Sequence, residues 1–219
     1  KKKKKHIGFA ASNVFGNLWL GLSGARFGES PVSGETAHYY RKLGRMSRGL
    51  ALASDISMLM MGGDLKRKEM ISARLGDILS HLYMGSAVLK RFEDEGRQVA
   101  DLPYVHYALK HHLYSIADAF YGFFDNFPNR FMAWVMRILI FPLGNHFKKP
   151  SDEILQDISV SMMEPGVTRD RHTFLCYWKD SIGDATGHME KAFISMLEMK
   201  SVYKTLRKAQ KRGEFFFFF

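Results

Sequence analysis

The sequence predicts an all-α fold, a helical bundle built on a long antiparallel helical hairpin, and three observations carry the prediction. Apolar residues recur at steps of three and four along most of the chain, the period of a helix with one buried face. The two longest of these runs are separated by a short glycine-containing stretch, Gly62-Gly63 to Lys66, which suits a tight reversal. No series of alternating apolar and polar residues bounded by turn signals appears, so a sheet has no sequence support.

The first run is Leu43, Met46, Leu50, Ala53, Ser57 and Met60, on a helix expected from about Thr36 to Gly62-Gly63. The second is Ile71, Leu75, Ile78, Leu82, Gly85, Leu89 and Phe92, closed by Gly96. Gly85, and Gly76 near it, offer places where another backbone can come close, at a cost of about 0.5–1 kcal/mol relative to alanine in a helix. A third helix opens at Asp101-Leu102-Pro103, an N-cap followed by a first-turn proline, and continues through Val105, Leu109, His112, Ile116, Phe120 and Phe123 to Asn126-Phe127-Pro128. Arg130 to Phe141, apolar nearly all round and bounded by Pro128 and Pro142, reads as a short helix inside the core; a membrane-surface helix is the other reading. A helix from Ser151-Asp152-Glu153 to Pro165-Gly166 follows. Gly187 to Lys211 forms a last amphipathic helix with Met189, Ala192, Phe193, Met196, Tyr203 and Leu206 inward. The segment His6 to Gly34, rich in Gly, Ser and Asn, reads as a helical piece around Val14 to Leu22 plus a loop entering the bundle.

The 219 residues suffice for a sizeable core. The formal charge of +10 includes Lys1 to Lys5, and without them it falls to +5. The remaining basic residues interleave with acids, as in Lys90-Arg91-Phe92-Glu93-Asp94-Glu95, the pattern of a solvated helix face, so no nucleic-acid partner is expected. The single Cys176 excludes an internal disulfide and a cysteine-based zinc site. The longest apolar stretch is too short for the roughly 20 residues of a membrane span. The lysine run 1–5 and the phenylalanine-rich tail 213–219 read as translated homopolymer artefacts, with Lys5 at the edge of the native sequence.

Chemistry-bearing motifs are sparse. His111 and His112 are neighbours and point about 100 degrees apart on a helix of 3.6 residues per turn, not the same-face pair of a zinc helix, so with His106 they read as separate histidines and no metal is expected. Leu20-Gly21-Leu22-Ser23-Gly24 lacks the nucleophile elbow, and Gly62-Gly63-Asp64-Leu65-Lys66 lacks phosphate-loop spacing. Asp55 has Leu52, Ile56, Met58 and Leu59 around it on its helix; an ionised carboxylate there calls for a partner, and Arg74 and Arg91 are the candidates for a structural ion pair, with a subunit or cofactor-proximal contact as the other reading.

Several separate segments carry a family resemblance: Lys5-His6-Ile7-Gly8, Trp19-Leu20-Gly21-Leu22, Ile71-Ser72-Ala73-Arg74-Leu75-Gly76-Asp77, Asn126-Phe127-Pro128-Asn129-Arg130, Phe141-Pro142-Leu143-Gly144 and Pro150-Ser151-Asp152. With them the chain resembles the C-terminal helical domain of bacterial-type, long-chain acyl-CoA dehydrogenases of fatty-acid β-oxidation. The resemblance implies a parent flavoenzyme in which FAD takes a hydride and a glutamate takes the α-proton of an acyl-CoA. That glutamate's place precedes His6, so no catalytic residue is expected in this chain. It further implies residues 6–34 as a connecting segment from the dehydrogenase core and residues 35–212 as the helical domain. The domain would shape the acyl tunnel or a homodimer interface, in the bacterial cytoplasm or against the inner face of the membrane. The competing reading is a stand-alone helical interaction or membrane-peripheral module without catalytic activity.

Overall fold

The computed structural model describes residues 14–177 and 183–213, and every regular element among them is helical. Residues 14–22 form α1. The series continues with α2 Ala37–Met61, α3 Glu69–Asp94, α4 Leu102–Asn126, α5 Arg130–Ile140, α6 Asp152–Met162, α7 Val167–Thr173, α8 Ala185–Glu198 and α9 Lys200–Lys211. The chain divides into two compact units, Lys1–Ile158 and Ser159–Phe219, a division that falls inside the stretch read from sequence as one domain over 35–212.

In the first unit α2 turns through the 3-10 stretch Gly62–Lys66 into α3, the hairpin expected from the two apolar runs. The second run is buried at Ile71, Ile78, Leu82, Gly85, Leu89 and Phe92, with Leu75 partly buried against the core. The most extensive packing is between α3 and α4 rather than within the hairpin. Their register is antiparallel. Arg74 lies beside Gly122 and Gly85 beside Leu109, with His81 meeting His112 between them.

Two glycines set close approaches. A Cβ on Gly49 of α2 would stand 3.0 Å from Cγ2 of Ile140 and 3.3 Å from Cζ of Phe120, so its absence lets α5 and α4 close over α2. A Cβ on Gly85 would meet Leu43 at 3.3 Å and Leu109 at 3.5 Å; side chains, not a neighbouring backbone, use the space that glycine leaves. Gly76, expected to serve in the same way, is exposed with nothing within 4 Å of such a Cβ.

Arg45 is the buried cation of this core. Its Nη2 donates to the Ile140 carbonyl at 2.8 Å, one of the carbonyls that the end of a helix leaves without an intrahelical donor. The same guanidinium lies 5.7 Å from the centroid of Phe141, and the positive charge is favourable at the negative end of the α5 dipole. Burial holds its pKa below the ordinary arginine value.

Three expectations need correction. Asp101 stands at the N-cap of α4 but its side chain makes no capping hydrogen bond there; at α5, Asn129 does cap, accepting from the Met132 N–H at 3.0 Å. Helix α5 is not enclosed: Ala133, Met136 and Ile140 are buried, while Phe131, Trp134 and Ile138 are exposed, Trp134 by 59%. An all-round apolar sequence does not say which face is covered, and α5 meets the unit through one face only. The expected helix from Gly187 to Lys211 is two, α8 and α9, divided at Met199. Met189, Met196 and Tyr203, expected inward, are exposed. In this second unit Arg169 holds Glu190 bidentately at 2.6 and 2.5 Å, joining α7 to α8.

Candidate functional site

Helices α2 and α4 each present an i, i+4 pair of nitrogen-bearing side chains, His38 with Lys42 and His106 with Lys110, spacing that puts both members of a pair on one face. Between those helices and the segment after α5 lies a half-open cavity of about 350 Å³, lined by His38, Lys42, Lys110, His146, Lys148 and Lys149, with Tyr39, Leu113 and Phe147 among its walls. Phe147 anchors the segment by packing against the core, and its N–H is taken by the Asn145 side chain at 2.9 Å.

The charged side chains that line the cavity are all basic, while Glu35, outside the lining, opposes them at His106. Burial lowers the Lys42 pKa, and the neighbouring Lys110 charge lowers it further. His38 is lowered by burial first, with Lys42, His106 and Arg41 adding to the effect against a hydrogen bond to the Glu35 carbonyl. His106 is likewise lowered chiefly by burial; its Nδ1 lies 2.9 Å from the Tyr39 hydroxyl, whose own pKa burial pushes up to about 12. Sequence reasoning missed this cluster because its cations come from three distant segments. The paired i, i+4 spacing and the Lys148-Lys149 doublet were the signals available.

A second polar cluster lies further along α3 and α4. His81 Nδ1 is 3.0 Å from His112 Nδ1, and the His111 ring packs edge-on near both. His81 was not anticipated; its position on α3, facing α4, brings it in. Among the described residues no group of three or more His, Cys, Asp or Glu is arranged to hold a metal ion. Burial, then His81 and His111, lowers His112 from 6.5 to about 4, while Asp77 acts oppositely on His81. A histidine whose folded pKa lies below its unfolded value favours folding in its neutral form, so stability is lost as pH falls from about 6.5 towards about 4. Urea midpoints at pH 7 and pH 4.5 should converge when His112→Asn is introduced; an unchanged pH dependence in that variant would contradict the assignment.

The residues singled out as ion-pair candidates are not brought together by any contact described. Asp55 is exposed, and so are Met58 and Leu59 beside it, so its carboxylate keeps its water and the reason for a partner disappears. Arg91 pairs with Glu95 at 2.8 Å. The Arg74 guanidinium donates to the Met70 carbonyl at 3.1 Å.

The leading helix exposes a further feature. Phe15, Trp19 and Leu22, spaced i, i+4 and i+7 on α1, are all exposed, Trp19 by 61%, and Phe27 is exposed beside them. Trp19 and Phe27 stack with ring centroids 5.7 Å apart. No helix among the described residues is long and apolar enough to cross a membrane.

The first unit thus combines an exposed aromatic row with a cavity lined by lysines and histidines. The sequence identifies the family. The chain matches the family model of the acyl-CoA dehydrogenase C-terminal domain, bacterial type, over residues 4–217, and it belongs to that family. No solved structure matches it.

Proposed function

We propose that this chain is the supporting C-terminal part of a FAD-dependent dehydrogenase that oxidises the α,β bond of long-chain acyl-CoA in the first step of β-oxidation. The observation that carries the reading is the family match over nearly the entire chain. The catalytic core of the same protein is its partner, and a homodimer in the bacterial cytoplasm, either free or at the inner face of the membrane, is the assembly this reading expects. FAD, when bound by that core, accepts the hydride; this chain's residues contribute shape and contact. Glu190 illustrates why no proton abstraction is assigned here: the hydrogen bonds from Arg169 hold its carboxyl below the usual glutamate range, which makes it a weaker base.

The exposed row Phe15, Trp19, Leu22 and Phe27 supplies the docking face. A domain that follows the core in sequence presents its leading helix to that core with the shortest tether, and aromatic side chains dominate contact energetics of this kind. Mixing the separately purified flavoprotein core with this chain should give a complex in sedimentation, and Trp19→Ser with Phe15→Ser should weaken it at least about tenfold, two lost anchors each typically costing over 1 kcal/mol. Association unaffected by both substitutions would remove the docking face from this account. The stand-alone interaction module would be favoured by a chain that binds no such core at all.

A further inference from the structure

We propose that the cavity between α2, α4 and the segment after α5 is a binding site for a phosphate-bearing anion, a pyrophosphate or phosphomonoester group, held by Lys42, Lys110, Lys148 and Lys149. Four ammonium groups line one cavity of about 350 Å³, and no carboxylate stands among its lining residues. Elsewhere in the first unit the same residue type is matched locally, as Lys90 is by Asp94 one helical turn on. Holding Lys42 half-buried beside Lys110 works against both charges, a cost that an anion between them would offset.

The geometry favours phosphate over a simple carboxylate. Lysines are compact point charges that approach an anion from several directions, and several phosphate oxygens can each take one donor. Lys149 is steadied over the Tyr114 ring, 5.2 Å from its centroid, and Lys42 over Tyr39 at 5.9 Å, so the donors come partly preorganised. His38 and His146 add ring nitrogens to the lining, and the His38 Nδ1–H is already committed to the Glu35 carbonyl at 2.6 Å. The site does not depend on what the parent enzyme oxidises. Two sources carry this chemistry, a soluble cofactor such as coenzyme A and an anionic lipid headgroup.

Inorganic pyrophosphate titrated into the full 219-residue chain at low salt, followed by calorimetry, tests the site. Saturable one-to-one binding is expected, weakened at least about tenfold in Lys42→Gln/Lys110→Gln, since charge-assisted hydrogen bonds contribute about 1.5–3 kcal/mol and 1.4 kcal/mol is tenfold. The exposed pair Lys148→Gln/Lys149→Gln should act in the same direction without touching the core. Lys200→Gln/Lys204→Gln on α9, with the same change of charge, should leave affinity within about twofold, the residual effect of long-range screened charge. Binding that never saturates, or an equal loss in the α9 control, would overturn the site. Displacement of pyrophosphate by coenzyme A supports the soluble source; displacement only by phosphatidylcholine vesicles containing phosphatidylglycerol supports the headgroup. Displacement by neither would overturn a biological phosphate as its ligand.

Discussion

Phe120→Ala should cost about 3–5 kcal/mol, the range for emptying a fully buried phenylalanine site. Phe120 has no exposed surface. It stacks on Phe124 at 5.9 Å between centroids and meets Phe141 edge-on at 5.7 Å. Its Cζ fills the space left by Gly49. The ring therefore touches α2, α4 and the end of α5 at once, and no single one of these can collapse into the hole. Against a total stability of about 5–15 kcal/mol for an ordinary domain, that loss is a large share. The urea midpoint reads it, and a loss below about 1 kcal/mol, the typical cost of an ordinary point substitution, would place Phe120 outside the centre of the core.

Leu82→Ala is the second large effect, about 2–5 kcal/mol for a buried leucine. Leu82 is 7% exposed and belongs to the central apolar cluster, whereas Leu79, next in sequence to the buried Ile78 and about 100 degrees round the helix from it, is 59% exposed. The same truncation at Leu79 should stay within about 0.5 kcal/mol, as surface substitutions do. Equal losses at the two positions would mean that the face assigned to the bundle is wrong.

The contrast between Leu79 and Leu82 shows what was legible in advance. Period alone picks out one face of α3, because successive steps of three and four keep to one side of a helix while Leu79, a single residue past Ile78, leaves it, and six members of that run are buried as expected. Period fails where a helix is apolar all round. Nothing local distinguishes Met136, in the core, from Trp134, in solvent; the difference is made by α4, which meets α5 from one side. It fails also for Asp55, whose apolar neighbours suggested burial: Leu52 is in the core, but Met58 and Leu59 near the end of α2 are uncovered and Asp55 is exposed with them. Arg45 was invisible because its partner is a backbone carbonyl 95 residues away. The basic cavity was invisible for the same reason: Lys42, Lys110 and Lys148 become neighbours only through the packing of three segments. Family membership, by contrast, was legible from short segments scattered along the chain, because such signatures need no tertiary information.

Under the proposed function this chain supports a flavoenzyme without carrying its chemistry, since a cofactor enzyme's protein must bind, orient and polarise the cofactor to function. The visible absorbance spectrum of the purified 219-residue chain, taken with an acyl-CoA-dependent dye-reduction assay, tests this most directly. The expected result is a colourless protein that reduces no dye with long-chain acyl-CoA. Stoichiometric yellow flavin co-purifying with the chain, or dye reduction that follows added acyl-CoA, would contradict it and place the active site within these residues.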